Sequence, residues 1–301
     1  MSAPPMRESP RRRLQELVEL LSEYECDQLL SVVSDVAAGQ RFWEQDIGVL
    51  YNEYVKARYF DVSRDLSSIV PAGPVYDDDP FVPIPLVKSY PDAARVALPS
   101  PEESELSVTD AIAGRRSRRD YVVKPLTTAQ LSSLLHFSAG TTGFAQGYGY
   151  RRWPLRSFPS SGGLQAPEVY VAVQDVDGIE PGLYHYQPLD HCLELLSAHE
   201  RTVLAAIGIG QPYISTAAAV FAITGYYARA NWKYGERSFR YMCMDVGFVG
   251  ENLYLVAEAL GLGACGVAGF IDDGLERLLG VDPREEIPLL MVTVGGTDPG
   301  A

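Results

Sequence analysis

The sequence has few cysteines, few histidines and no long apolar run, and each shortage argues against a class of protein. Its 301 residues include 4 cysteines and 4 histidines, and neither type recurs at metal-ligand spacing, so we expect no bound metal. The cysteines form no CxxC pair, which is typical of reduced thiols in a cytoplasmic protein. No apolar run reaches transmembrane length, and the basic N-terminal residues precede no signal-peptide core. We therefore predict a cytoplasmic protein without a membrane segment.

Positive charge is also scarce. Lys and Arg number 25 against 39 Asp and Glu, for a formal net charge of −14. Such a chain is not expected to bind nucleic acid or anionic membranes. Against this background the segment 115–119 reads Arg-Arg-Ser-Arg-Arg. Guanidinium groups bind phosphate oxygens in pairs, and Ser117 adds a hydroxyl donor. The segment is either a phosphate site or a solvated basic patch, and composition leaves both open.

Apolar spacing and proline content divide the chain into three parts. Residues 1–70 carry apolar stripes at helical spacing and are predicted to form a helical appendage. Residues 71–104 are rich in proline, which indicates an extended linker. Residues 105–301 form the main domain, where two capped helices precede a region of strands and hairpins. Strands in hairpins mixed with long helices predict an α+β fold rather than alternating βαβ units.

The most apolar helix of the main domain is predicted over 245–260. Its apolar residues occupy nearly every face, which predicts burial almost all round. This is more apolar surface than one subunit needs to bury, and it suggests a partner subunit. The glycine run 266–269 that follows can bring backbone against a flat ligand. Residues 261–266 also spell GxGxxG, but that motif binds dinucleotides only between a strand and a helix. Because it follows a helix here, we predict no dinucleotide site.

Three further segments carry polar or aromatic groups that a ligand can use. The turn 159–163, Pro-Ser-Ser-Gly-Gly, offers amides and hydroxyls, although most such turns are only turns. Lys233 and Tyr234 lie between a predicted buried strand and the central helix. A desolvated lysine can act as a base at neutral pH, and the alternative is an exposed lysine paired with Glu236. Residues 143–150 are rich in glycine and aromatics and are predicted to form a mobile loop.

Taken in this order, the segments resemble the nitroreductase-like flavoproteins. The matching segments are RRSRRDY at 115–121, PSSGG at 159–163, PGLYHY at 181–186 and the glycine-flanked helix at 245–270. They are most similar to the SagB-type dehydrogenases, which oxidise azolines to azoles in modified-peptide biosynthesis. The resemblance covers about residues 105–296. It implies an antiparallel or mixed central sheet flanked by helices, with the long buried helix at a dimer interface.

The resemblance also implies FMN as the cofactor and gives roles to individual residues. The segment that holds the FMN phosphate matches Arg115, Arg116, Ser117 and Arg119. The turn beside the flavin matches Pro159, Ser160, Ser161 and Gly162. The loop whose amides face the flavin ring edge matches Ala268 and Gly269. The Lys-Tyr pair that is catalytic in azoline-oxidising members matches Lys233 and Tyr234.

One feature departs from the family pattern. Many members place a late lysine or arginine on the phosphate, and the segment 295–301 contains neither. The cluster at 115–119, or Arg151 and Arg156, would have to compensate for that missing cation.

The resemblance therefore predicts an FMN-dependent enzyme that oxidises thiazolines or oxazolines in a peptide or a carrier-bound intermediate. It implies a homodimer with FMN at the subunit interface, and a cyclodehydratase is a candidate partner. Lys233, assisted by Tyr234, would remove the ring proton. Two alternatives remain open. One is another flavin reaction, either Cα–Cβ desaturation of amino-acid or cyclic-dipeptide units or NAD(P)H-driven reduction of nitro compounds or quinones. The other is a non-catalytic scaffold.

Overall fold

The computed structural model describes Tyr51 and residues 87–148, 150–198 and 201–298. Apart from Tyr51, the predicted helical appendage and the first half of the predicted linker lie outside these residues. The chain divides into two units, Met1–Ile69 and Val70–Ala301, and the second contains all the other described residues. The three-part division of the chain stays a prediction.

The described part of the second unit combines helices with strands that pair as antiparallel neighbours. In chain order the elements are β1 (Arg95–Ala97), α1 (Val108–Gly114), α2 (Thr128–Ala139), β2 (Thr141–Gly147), β3 (Tyr150–Arg156), β4 (Pro167–Val173), β5 (Gly182–Gln187), β6 (Cys192–Ser197), α3 (Arg201–Ile207), α4 (Pro212–Thr216), β7 (Ala219–Tyr226), α5 (Tyr227–Tyr234), α6 (Ser238–Ala259), β8 (Leu262–Val267), α7 (Asp272–Leu279) and β9 (Glu286–Gly296). The predicted caps are confirmed, since Ser107 accepts the Asp110 amide and Thr127 forms a capping box with Gln130.

Seven strands form the central sheet in the order β1-β6-β5-β4-β7-β9-β8, and every neighbouring pair is antiparallel. Strand β4 is buried at every residue because helices and neighbouring strands cover both of its faces. Strands β2 and β3 form a separate hairpin. The predicted α+β fold is confirmed.

Helix α6 is the central helix, and it packs on the sheet through one face. Val246, Val249 and Leu253 on that face are buried in the largest apolar cluster. Gly250 allows the closest approach, because a Cβ there would lie 2.6 Å from the Leu290 side chain. The opposite face is open, with Phe248 40% exposed. The prediction of burial almost all round is therefore wrong within one subunit, since the sheet covers only one side of the helix.

Three segments differ from their predicted structures. Residues predicted as a mobile loop, 143–150, belong largely to the β2–β3 hairpin, where Tyr148 and Tyr150 pack on Trp153. The first part of the glycine run is strand, because Gly266 and Val267 pair with β9. Within the predicted linker, Arg95–Ala97 form an edge strand beside β6. In each case strand pairing gives regular structure to a segment whose glycine or proline content indicates a loop or an extended chain.

A buried ionic network fixes the orientation of helix α5 on the sheet. His185 is fully buried, with Nε2 3.2 Å from Glu168 and Nδ1 3.0 Å from Glu194. Burial lowers the pKa of His185, but its hydrogen bonds to both carboxylates outweigh this and raise it. Arg229 of α5 donates to Glu168 at 2.5 Å and to the Gln165 carbonyl at 2.8 Å. Helix α5 is thereby tied to the start of β4.

The same carboxylates are held ionised by their partners. Burial alone would raise the pKa of Glu168, but the Arg229 guanidinium and His185 hold it well below its usual range. Burial likewise opposes ionisation of Glu194, yet hydrogen bonds from His185 and from the backbone and side chains of residues 89–90 lower its pKa to about 2. The network is structural, and it places α5 where the candidate site is built.

Candidate active site

Helix α5 brings two of the predicted site residues to a tight glycine turn. Lys233 and Tyr234 form its last turn, and residues 159–163, which we call the Gly162 turn, lie against them. Gly162 has a φ of 63°, in the left-handed region. A Cβ at this position would clash with Tyr234 Oη and lie 3.1 Å from Lys233 Nζ. The structure thus brings together two segments that the sequence singled out separately, and only glycine fits between them.

Tyr148, which the sequence analysis did not single out, completes this group. Lys233 Nζ donates a hydrogen bond to Tyr148 Oη at 2.6 Å. The Tyr148 hydroxyl in turn donates to the Gly162 carbonyl. Lys233 is half-buried and its amine points into this contact. The aromatic content of 143–150 was visible in the sequence, but nothing local connects Tyr148 with a lysine 85 residues away. We call Lys233, Tyr234, Tyr148 and the Gly162 turn the lysine group.

Asp245 of α6 fixes the Gly162 turn by accepting three hydrogen bonds from it. Ser160 Oγ donates to Asp245 at 2.7 Å, Ser161 Oγ at 3.0 Å and the Ser161 amide at 3.1 Å. Burial raises the pKa of Asp245, and these three hydrogen bonds oppose that effect. The two serine hydroxyls therefore shape the turn and face Asp245. Pro159 and Gly162 remain exposed at the surface of the turn.

A second group forms around Tyr254 near the other end of α6. The Arg115 guanidinium lies 5.3 Å from the centre of the Tyr254 ring, and Ser117 Oγ is 3.0 Å from Tyr254 Oη. The Arg118 amide donates to the Ala264 carbonyl and so ties this segment to β8. Arg119 lies over the Tyr213 ring at 5.6 Å. We call Arg115, Ser117 and Arg119 the arginine group.

Arg116 and Arg156 are turned away from the arginine group. Arg116 donates to the carbonyls of Ala113 and Arg115 at 2.9 and 2.8 Å, which caps the end of α1. Arg156 is buried and its Nε donates to the Ala139 carbonyl at the end of α2. Burial lowers the pKa of Arg156 to about 10. Arg156 is therefore poorly placed to replace the missing phosphate cation, because its guanidinium is buried inside the fold.

Ala268 and Gly269 lie in the loop after β8, on the side of the arginine group. Both are exposed, and the Gly269 carbonyl accepts from Gln211 Nε2 at 3.3 Å. Just before them the Gly266 amide donates to Tyr254 Oη at 2.5 Å. Tyr254 therefore links this loop with Ser117.

The lysine group and the arginine group lie on opposite sides of α6. Asp245 contacts the first and Tyr254 contacts the second, and these positions are nine residues apart on the helix. At 3.6 residues per turn, nine residues rotate the direction of a side chain by about 180° relative to the start. Within one subunit, the helix separates the two groups.

In the described part of the chain, no helix is both long and apolar enough to span a bilayer. Nor do the described residues contain a group of three or more side chains that could hold a metal ion.

Comparison with known proteins agrees with this fold. Residues 112–296 match the Nitroreductase family. A protein of Methanocaldococcus jannaschii that is named as a nitroreductase is 37% identical over 68% of this chain and 97% of its own length. The Microcin B17-processing protein McbC of Escherichia coli is 27% identical over 46% of this chain, and the match spans 54% of McbC.

Among solved structures, the Escherichia coli microcin synthetase McbBCD complex with truncated pro-MccB17 bound contains a chain of the same fold. It superposes with a TM-score of 0.52 at 21% identity, covering 68% of this chain and 78% of that chain. The predicted resemblance to nitroreductase-like proteins of modified-peptide biosynthesis is confirmed.

Proposed function

The chain belongs to the nitroreductase family, and from this premise we propose that it is an FMN-dependent oxidase that converts thiazolines or oxazolines in a peptide to azoles. The observation that carries the proposal is the convergence of Lys233 and Tyr234 on the Gly162 turn. A reductase that takes hydride from a nicotinamide needs no base at that position, whereas oxidation of an azoline ring does. The similarity to a microcin B17-processing protein supports a peptide substrate. Loss of about two mass units from an azoline peptide tests this function.

The residues present fit an FMN molecule when the arginine group and the Gly162 turn come from two different subunits. At one end, the exposed hydroxyl of Ser117 and the guanidinium groups of Arg115 and Arg119 suit a phosphate. At the other, the Gly162 turn exposes backbone without a side chain, so a flat ring can lie against it. When bound, FMN supplies the acceptor for the hydride that leaves the azoline ring.

The protein's own contribution is a positioned base. In its neutral form Lys233 takes the ring proton at Nζ, while the C–H bond on the neighbouring carbon gives up its electron pair. Tyr234 packs on Lys233, with the amine 5.1 Å from the centre of its ring, and it limits the access of water. The substrate loses one proton and one hydride, and aromatisation of the ring favours the reaction.

We further propose that the complete site combines two subunits. The open face of α6 carries Met244 and Phe248, which are 50% and 40% exposed. An apolar stripe of this kind is typical of a surface that a partner covers. Because α6 separates the lysine group from the arginine group, a two-fold dimer would place the lysine group of one subunit opposite the arginine group of the other.

This arrangement predicts complementation between two inactive variants. Lys233→Ala impairs the lysine group, and the pair Arg115→Gln with Arg119→Gln impairs the arginine group. In a mixed dimer of the two, one site carries both defects and the other carries none. We expect each homodimer to be nearly inactive and the purified mixed dimer to have about half of the wild-type activity per dimer.

The matched control is a mixed dimer in which one subunit carries all three substitutions and the other is wild type. Each of its sites then carries one defect, so it should stay nearly inactive. If each site lay within one subunit, the two mixed dimers would behave in the opposite way. A stable, flavin-loaded monomer at micromolar concentration in sedimentation would also contradict the dimer.

Reduction of nitro compounds or quinones is the second candidate, because the Methanocaldococcus jannaschii relative is named as a nitroreductase. Rapid bleaching of the flavin by NADPH would favour it. A cyclodehydratase remains a candidate partner, since the McbBCD structure is that of a synthetase complex with a bound propeptide.

A further inference from the structure

Tyr148 contacts both Lys233 and the Gly162 turn, and the proposed reaction gives it no role. Its hydroxyl accepts a hydrogen bond from Lys233 Nζ at 2.6 Å and donates one to the Gly162 carbonyl. From this geometry we infer that Tyr148 is the positioning residue of Lys233 and holds the amine against the Gly162 turn. The inference rests on the proposed role of Lys233 as the base.

The position of the Tyr148 ring is fixed on several sides. Its centre lies 4.8 Å from the ring of Trp153 and 5.6 Å from that of Trp232, the second contact being edge-on. The backbone of Tyr148 has a φ of 49°, in the left-handed region that residues other than glycine rarely adopt. Residues held in such a conformation cluster at functional sites, where the surrounding structure outweighs the strain. Here the surrounding residues hold a phenol against an amine and a carbonyl.

The phenol can serve Lys233 in both of its protonation states. Burial raises the pKa of Tyr148, so the hydroxyl keeps its proton throughout the working range of pH. When the lysine is charged, the phenol oxygen accepts from Nζ and its proton goes to the Gly162 carbonyl. When the lysine is neutral, rotation of the hydroxyl can direct the same proton to the lone pair of Nζ. The amine therefore keeps one direction through the catalytic cycle.

The two states are not stabilised equally. A hydrogen bond that involves a charged group is stronger than one between neutral groups, so the phenol favours the charged lysine. The described titratable side chains in contact with the Lys233 amine are Tyr148, from the hairpin, and Tyr234, from its own helix. Removing the Tyr148 hydroxyl should therefore ease the loss of the lysine proton while it loosens the position of the amine.

Tyr148→Phe keeps the ring and removes the hydroxyl, so it tests both effects in the FMN-loaded protein. We expect kcat for an azoline peptide to fall by about 10- to 100-fold, because a base that is displaced from its reacting position removes the proton more slowly. KM should stay unchanged. The acid limb of the kcat–pH profile should move to lower pH, because the hydrogen bond that favours the charged amine is gone. A purely structural role of Tyr148 would not move that limb.

A second readout does not need turnover. An amine reagent modifies Lys233 at a rate that peptide mass spectrometry can follow across a pH series. The pH dependence of this rate should also shift to lower pH in Tyr148→Phe. Tyr150→Phe is the matched control, because Tyr150 belongs to the same hairpin and its ring also packs on Trp153, at 5.5 Å. That variant should behave as wild type in both experiments.

Unchanged labelling and an unchanged pH profile in Tyr148→Phe would overturn the inference. A wild-type protein that oxidises no azoline would contradict the proposed function. The labelling series would then test the effect of Tyr148 on Lys233 independently of turnover.

Discussion

Lys233→Ala is expected to lower azoline turnover by about 10²-fold or more, the usual scale for the loss of a general base. FMN content, dimerisation and melting temperature should stay close to wild type. The physical reason is that Lys233 lies at the end of α5, whereas Arg229, one turn earlier, anchors that helix to Glu168 at 2.5 Å. The amine contributes its contacts with Tyr148 and Tyr234, and it forms no buried ion pair among the described residues.

Two further variants complete this experiment. Lys124→Ala removes an exposed lysine elsewhere and should have no effect. Tyr234→Phe should cost less than Lys233→Ala if the phenol only orients the base or relays its proton. A Lys233→Ala protein that unfolds or loses its flavin would show that the lysine is structural. Full activity of that variant would place the base elsewhere, with Tyr234 and Tyr148 as the next candidates.

Neutralising the arginine group should release the cofactor. Each hydrogen bond from a charged group contributes roughly 1.5–3 kcal/mol, so loss of two should weaken FMN binding by about 10²- to 10⁴-fold. Arg115→Gln combined with Arg119→Gln removes both charges and keeps side chains of similar length. Arg115 and Arg119 lie over the rings of Tyr254 and Tyr213, so the substitutions also remove these two cation–π contacts, each worth about 0.5–1 kcal/mol at an exposed site. Flavin absorbance after gel filtration, and titration of the apoprotein with FMN, measure the effect.

Arg277→Gln provides the control for a general change of charge, because Arg277 is exposed on α7. It should leave the FMN affinity at the wild-type value. If the double variant also retains FMN with unchanged affinity, the arginine group does not hold the phosphate.

The central sheet and the main helices could be predicted because their signals are local. Strand β4 is a run of β-branched and aromatic residues, and the capping residues Ser107 and Thr127 mark helix starts within four positions. The hairpin of β2 and β3 was missed since its glycines indicate a loop, whereas the packing of Tyr148 and Tyr150 on Trp153 depends on the tertiary fold.

The candidate site was predictable as a set of segments and not as a set of contacts. The sequence shows Asp245 only as one residue of an apolar helix, yet its carboxylate accepts hydrogen bonds from both serines of the Gly162 turn, Ser161 being 84 residues away. Arg116 could not be told from its neighbours by sequence, because only the end of α1 shows that its guanidinium serves as a cap. Contacts of this kind depend on how distant elements meet, and residue spacing does not contain that information.

The direct test of the account is turnover of an azoline-containing peptide by the purified, FMN-loaded protein in the presence of oxygen. We expect each oxidised ring to lower the peptide mass by about two units, the product to absorb as an azole, and Lys233→Ala to abolish most of the change. An unchanged peptide mass, together with rapid bleaching of the flavin by NADPH and reduction of a nitro compound or quinone, would contradict it.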